Sequence, residues 1–207
     1  MSVFIQQLRQ KLSHPLPGAE AQYKMAHAVR RSYDLPPDTA KLASVLALFY
    51  AKASQWHLVL IERNSTNAND RHKGQISFPG GKCEPEDQSL FHTAVREAEE
   101  EVGVPAESIK WLGSLTELYI PVSNFLVHPF VGFVDHIPTF TPQLSEVKSI
   151  LEVPFDYFLD KTNIQHTDMK IGQNITLRQV PYYSVEGKIV WGATAMIISE
   201  LMEVTKM

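Results

Sequence analysis

The segment Ser89–Gly103 constrains the fold of this chain more than any other. Its spacing predicts a helix from about Ser89 to Val102, with Gly103 as the C-terminal cap and Pro105 preventing continuation. On a helical wheel of about 100° per residue, Phe91, Val95, Ala98 and Val102 fall within about 60° of one another, a stripe made for a core. Glu97, Glu100 and Glu101 fall on a separate arc, and Glu97 and Glu101, four apart, project as neighbours. Just upstream, Phe78-Pro79-Gly80-Gly81 ends a strand expected around Ile76–Phe78. A one-sided helix of this kind needs a sheet to lie on.

The rest of the chain supplies that sheet. Ser44–Tyr50 and His57–Arg63 are apolar runs split by a polar break and read as paired strands, followed by a polar loop over Asn64–Lys73. Trp111–Tyr119 and Phe125–Asp135 read as further strands, with weaker candidates at Ile175–Val180 and Lys188–Trp191. Helices are expected over residues 3–12, Ala19–Val29 and Ala193–Glu203, and Val147–Leu159 as a short helix with a Val153-Pro154 turn. The fold class is therefore α/β (α+β): a mixed sheet flanked by helices, with residues 1–40 an N-terminal helical extension and 41–207 the main domain.

At 207 residues the chain suits one core-forming domain. Its net charge of -4 argues against a nucleic-acid backbone binder, without excluding a basic pocket for a phosphorylated ligand. Cys83, the single cysteine, cannot close an internal disulfide, so a cytoplasmic location is expected. No apolar run approaches the roughly 20 residues that span a bilayer, and no membrane partner is expected. Oligomeric state stays open between monomer and homodimer.

Like charges held together on one helix repel one another, and more strongly once desolvated. A divalent cation relieves that repulsion, and all-oxygen ligands suit Mg²⁺ or Mn²⁺. A Glu-rich helix face alone is ordinarily solvated surface. Here Gly80-Gly81 permit close backbone approach to a ligand, and Arg96 can orient a carboxylate through a bidentate pair. Cys83 lacks a neighbour that would activate a thiol, and His72, His92 and His128 lack zinc spacing. Tyr119, Phe125 and Trp191 could stack a base or simply fill a core.

Residues Gly81 to Val104 resemble the Nudix box, Gly-x5-Glu-x7-Arg-Glu-U-x-Glu-Glu-x-Gly-U with U apolar. Arg96, Glu97, Ala98, Glu100, Glu101, Gly103 and Val104 match its second half. From Gly81 to Arg96 there is one residue more than the pattern, and Glu86 or Asp87 stands nearest the early acid. Upstream, Leu60-Ile61-Glu62-Arg63-Asn64, Arg71 and Gly74-x3-Phe78-Pro79-Gly80-Gly81 are similar to the coenzyme A pyrophosphatase branch, as are Leu118–Ser123 and Trp191–Ala195. Ile61 and Asn64 replace that branch's usual Thr and Ser.

The resemblance implies a Nudix-type α/β/α sandwich with the catalytic helix after the Gly-Gly loop. It implies hydrolysis of a pyrophosphate linkage in a small-molecule nucleotide, with coenzyme A or a thioester foremost. ADP-ribose, NADH or a nucleoside triphosphate is the alternative, and a non-catalytic nucleotide sensor a more distant one. Glu97, Glu100 and Glu101 would hold Mg²⁺ or Mn²⁺, and Arg96 would orient them. Glu100, narrowly ahead of Glu146, would serve as general base, while Arg63, Arg71, Gly80 and Gly81 would meet the substrate.

Overall fold

The computed structural model describes residues 2–30, 35–64, 74–171 and 175–207. Strands β1 (Lys41–Lys52) and β2 (Gln55–Arg63) form a hairpin whose two turn residues, Ala53 and Ser54, both have positive φ, 51° and 64°. That mirror-image turn matches the twist of the flanking strands. The hairpin pairs closely only near its turn, from Phe49↔Leu58 to Lys52↔Gln55, and then splays. The chain from Ile76 to Lys82 fills the split. Its first part, β3 (Ile76–Ser77), pairs with β2, and its second, β4 (Gly80–Lys82), pairs with β1 at Ala43–Val45. Between them the Leu46 amide donates to the Pro79 carbonyl at 2.9 Å. The Gly-Gly pair, expected as a turn closing a strand, is thus itself strand, wedged into the sheet.

On its other edge β1 runs parallel to β7 (Phe125–Phe133), which carries β5 (Lys110–Ser114) and β6 (Leu118–Ile120) antiparallel, and β8 (Val147–Pro154) lines the outer edge of β2. The sheet is mixed, as expected. Alternate residues of β1 enter opposite cores. Leu46, Leu48 and Tyr50 pack with helix α3 (Leu90–Val102) through Ala94, Val95, Ala98 and Val102. Ala47 and Phe49 pack with Ile5, Leu8 and Leu12 of α1 (Val3–Leu12) and Ile197, Ile198 and Leu201 of α5 (Gly192–Lys206). A strand buried on both faces reads as an unbroken apolar run, and the layers make an α/β/α sandwich. A second, antiparallel sheet contains β9 (Ile164–Ile171), β10 (Ile175–Val185) and β11 (Lys188–Val190).

The structure corrects three local expectations. Residues 19–29 form only a short helix, α2 (Gly18–Gln22), followed by 3₁₀ turns at Tyr23–Met25 and Ala28–Arg30. Tertiary bonds override the local tendency there: the Gln22 amide donates to Glu200 and to the Thr116 carbonyl, both at 2.8 Å. Residues 147–154 are strand, with the helix α4 confined to Asp156–Leu159, because their backbone pairs with the edge of β2 while Leu151 and Val153 enter the α1/α5 core and Val147, beyond a register shift, enters the α3 core. The strand expected across 111–119 breaks into β5 and β6 around Thr116, whose amide and hydroxyl both donate to Glu200. Among the described residues no helix is long and apolar enough to cross a membrane.

Glu62 fastens the two sheets together. Its carboxylate accepts from Lys148 at 2.8 Å, Ser149 at 3.0 Å and Lys188 of β11 at 2.6 Å. The lysine hydrogen bonds pull its pKa from 4.5 down to about 2. A depressed carboxylate stabilises the fold fully above its unfolded value and loses that contribution as pH falls through the folded one. Glu62→Gln should therefore cost about 1–2 kcal/mol near neutral pH, discounted because both lysines reach solvent. In urea unfolding the gap from wild type should close as pH drops from 4.5 toward 2; a gap constant across that window would contradict the assignment.

Candidate active site

Helix α3 begins and ends where its sequence requires. Ser89 caps it by accepting from the His92 amide at 3.1 Å, and Gly103, at φ 74°, closes it through a bond to the Glu99 carbonyl. The following loop then runs back across the helix end, where the amides of Thr141 and Gln143 donate to the carbonyls of Val102 and Glu101 at 2.9 and 3.1 Å. This is what carries Glu146 toward α3.

The acid at the sixth place after Gly81 is Asp87, and the structure gives it the role the sequence left open between Glu86 and Asp87. Its side chain is 1% exposed and accepts from Arg96 twice, Nε at 2.9 Å and Nη2 at 3.0 Å. Thr93 Oγ1, His92 Nδ1 and the Glu84 amide complete its shell at 2.9, 3.1 and 3.0 Å. The Arg96 guanidinium holds the Asp87 pKa well below the usual carboxylate range, and Asp87 in turn raises that of Arg96. Glu86 is exposed.

From this clamp the free corner of Arg96, Nη1, reaches Glu97 at 3.0 Å and Glu100 at 3.3 Å. Glu101 is held from the sheet side instead. It is 1% exposed, accepts from the Gly80 amide at 2.8 Å and meets Arg63 Nη1 at 3.3 Å. The three helix glutamates therefore differ sharply: Glu101 is sealed, Glu97 is 13% exposed and Glu100 58%. Burial raises the pKa of Glu97, and pushes that of Glu101 up to about 7. The charge of Glu146 contributes to both increases, so this exposed loop acid lies within electrostatic reach of the pair.

The glycines fit this arrangement closely. At Gly80, with φ 153°, a Cβ would stand 2.3 Å from the Ser44 carbonyl oxygen and 2.6 Å from Val45 Cα. At Gly81 it would stand 2.5 Å from the Glu97 carboxylate, so the bare backbone is what lets that carboxylate lie against β4. Arg71 lies outside the described residues. Arg63, read from sequence as a phosphate contact, has its guanidinium on Glu101. Sequence reasoning missed the anchoring role of Asp87 and the tie between Gly80 and Glu101. The former was readable from the Gly81-to-Asp87 spacing; the latter needs the wedge. Tyr119, Phe125 and Trp191 are all half-buried.

A hard, all-oxygen donor set of Glu97, Glu100, Glu101 and Glu146, whose like charges add to the burial that raises the pKa of Glu97 and Glu101, fits a divalent cation such as Mg²⁺ or Mn²⁺. Arg96 and Gly80 hold these carboxylates apart, and no three acidic side chains among the described residues already enclose a metal position. Arg96 would have to yield Glu97 or Glu100 for a cation to be shared.

The sequence profile of the NUDIX domain matches residues 40–167. An uncharacterised Nudix hydrolase NudL of Yersinia enterocolitica is 38% identical over 145 residues, 70% of this chain and 72% of that protein. A NudL protein of Photorhabdus laumondii is 34% identical over 181 residues, covering 84% and 93%. Among solved structures, the Nudix hydrolase RenU of M. smegmatis superposes with a TM-score of 0.55 at 16% identity, over 81% of this chain and 86% of that one. A MutT/nudix family protein of Enterococcus faecalis gives 0.51 at 14%, over 91% and 74%. The chain belongs to the Nudix hydrolase family. It is a pyrophosphohydrolase of small nucleotides, in a family that generally uses divalent cations.

Asp87→Asn should release Arg96 and leave a partly buried cation half-paired, costing about 1–3 kcal/mol in chemical unfolding and lowering activity. Gly81→Ala separates site from fold: the atoms nearest the new methyl are the movable end of Glu97, so stability should stay within about 1 kcal/mol of wild type. Activity should nevertheless fall roughly tenfold or more as Glu97 is displaced. Unchanged turnover in Gly81→Ala would remove Glu97 from the working site.

Proposed function

We propose that the protein hydrolyses the pyrophosphate linkage of coenzyme A or its thioesters, releasing 3',5'-ADP and 4'-phosphopantetheine, with residues 41–207 as the catalytic domain and 1–40 as a helical extension packed on it. The observation that carries the reading is the intact Gly74-x3-Phe78-Pro79-Gly80-Gly81 core, wedged between β1 and β2 so that Gly80 holds Glu101. Its resemblance to the coenzyme A branch extends to Leu118–Ser123 and Trp191–Ala195.

In this reading Glu97, Glu100 and Glu101 hold Mg²⁺ or Mn²⁺, and Arg96, fixed by Asp87, sets the spacing of the first two. The bound cation supplies charge neutralisation of the diphosphate and polarisation of the attacking water. Water attacks one phosphorus, the bridging P–O bond breaks, and the proton of the water passes to a carboxylate base. Glu100 already carries an ion pair with Arg96 at 3.3 Å. The Glu146 carboxylate, on a loop within electrostatic reach of Glu97 and Glu101, takes no hydrogen bond among the described residues, which favours Glu146 as the base over Glu100. The backbone at Gly80 and Gly81 lets the diphosphate approach, and Arg63 and Arg71 offer it positive charge.

The test is chromatographic product analysis with Mg²⁺ or Mn²⁺ and, in separate reactions, coenzyme A, ADP-ribose and NADH. Expected products from coenzyme A are 3',5'-ADP and 4'-phosphopantetheine, with turnover in Glu101→Gln reduced on the order of a hundredfold or more. Turnover of ADP-ribose or NADH alone would sink the coenzyme A reading while leaving the chemistry. Inactivity on all three would favour a nucleotide sensor.

A further inference from the structure

A second basic feature lies outside the carboxylate site. The 3₁₀ turns of the N-terminal segment face the β9–β10 ribbon across a cavity of about 500 Å³. Tyr23, Lys24, His166, Arg178, Gln179 and Pro181 line it, and among the described residues no carboxylate is part of its wall. Neither segment has a part in the pyrophosphatase chemistry described above.

The ribbon is shaped for this. The register between β9 and β10 shifts between Leu177 and Val180, so Arg178 and Gln179 form a bulge. Gln179 carries a positive φ of 51°, an uncommon conformation for a side-chain-bearing residue. Asp168 holds the bulge from outside the cavity, accepting from the Gln179 amide at 2.9 Å and from Arg178 Nη1 at 2.6 Å. That leaves the remaining edge of the guanidinium for another acceptor. Across the cavity Lys24 is steadied by Glu203 at 3.1 Å, again an acid that is not in the wall. Lys24, Arg178 and His166 thus line the same cavity from two elements, and each of the two cations is tethered by one ion pair to an acid that is not in the wall. Each ion pair uses one N–H of a group that has several, and the clustering of the remaining donors suits a compact, highly charged oxyanion.

We propose that this cavity binds a phosphomonoester dianion, at a site distinct from the carboxylate site. The phosphate belongs either to the far end of the substrate or to a separate phosphorylated ligand.

The probe is adenosine 3',5'-bisphosphate, titrated calorimetrically into the full-length protein without divalent cation. Wild type should bind it, Lys24→Gln/Arg178→Gln should bind roughly tenfold or more weakly, and Arg178→Lys should fall between. Glu97→Gln should bind as wild type, which separates this cavity from the carboxylates. No heat in wild type, or equal affinity in the double variant, would overturn the proposal; a thermal melt excludes unfolding of the variants. Given the affinity loss, steady-state kinetics on coenzyme A and dephospho-coenzyme A identify the source. A KM raised for coenzyme A alone assigns the phosphate to the substrate, and unchanged KM values assign it to a separate ligand. Because the titration needs no turnover, it reads the cavity even if coenzyme A proves not to be hydrolysed.

Discussion

The contact on which the rest of the site depends is the 2.8 Å hydrogen bond from the Gly80 amide to Glu101. A carboxylate sealed from water is costly unless hydrogen-bonded, and an amide at a splayed strand needs an acceptor. Each supplies what the other lacks. The bond locks α3 to β4, and β4 is locked to β1 through Ala43–Val45. It requires Gly80, because the Ser44 carbonyl and Val45 Cα occupy the space any Cβ would take. The helix glutamates are thereby placed by the center of the sheet rather than by a surface loop, and a constellation held by rigid elements is what precise chemistry needs.

The second brace, Asp87 to Arg96, explains why the extra residue between them does no harm. The added residue lies between Asp87 and Arg96, where the chain enters the Ser89 cap, and the side chains still meet at 2.9 and 3.0 Å. The clamp fixes a guanidinium rather than a backbone segment, so it tolerates a length change the helix itself would not. Arg96 then transmits the position of a sealed acid to two partly open ones. An Arg does this better than a Lys because its planar fork can serve Asp87 on one edge and the glutamates on another.

Strong local periodicity made much of this legible. The α3 boundaries, the β1–β2 hairpin and the mixed sheet with helices on both faces follow from apolar spacing, Ser89, Gly103 and Pro105. Elements held chiefly by partners were harder to read. β9, with its sequence IQHTDMKI, is mostly exposed and lacks an apolar face; its pairing with β10 makes it a strand. Val147–Pro154 read partly as helix because the open edge of β2 is invisible from composition. In the site, the residue types of the helix glutamates were plain, but their environments were not. On a wheel Glu97, Glu100 and Glu101 share one arc. In the fold the wedge covers Glu101, Arg96 borders Glu97, and Glu100 faces water.

Among the described residues three acids, Glu200, Asp87 and Glu101, have side chains no more than 1% exposed, and comparing them shows which is chemically available. Glu200 is completely buried, yet accepts from the Gly18 amide, Gln22 Nε2, and the amide and hydroxyl of Thr116, tying the N-terminal segment to α5. Asp87 has five donors, including two from a cation. Both have their lone pairs satisfied, and adding a cation to either would break existing bonds for little return. Among the described residues Glu101 has only Gly80 and the longer Arg63 contact, set against burial and the like charges of Glu97 and Glu146, and its pKa rises to about 7. Equal burial therefore has opposite meanings. Where donors saturate the carboxylate it is structural. At Glu101 the electrostatic deficit remains, and uptake of either a proton or a positively charged ligand would remove it.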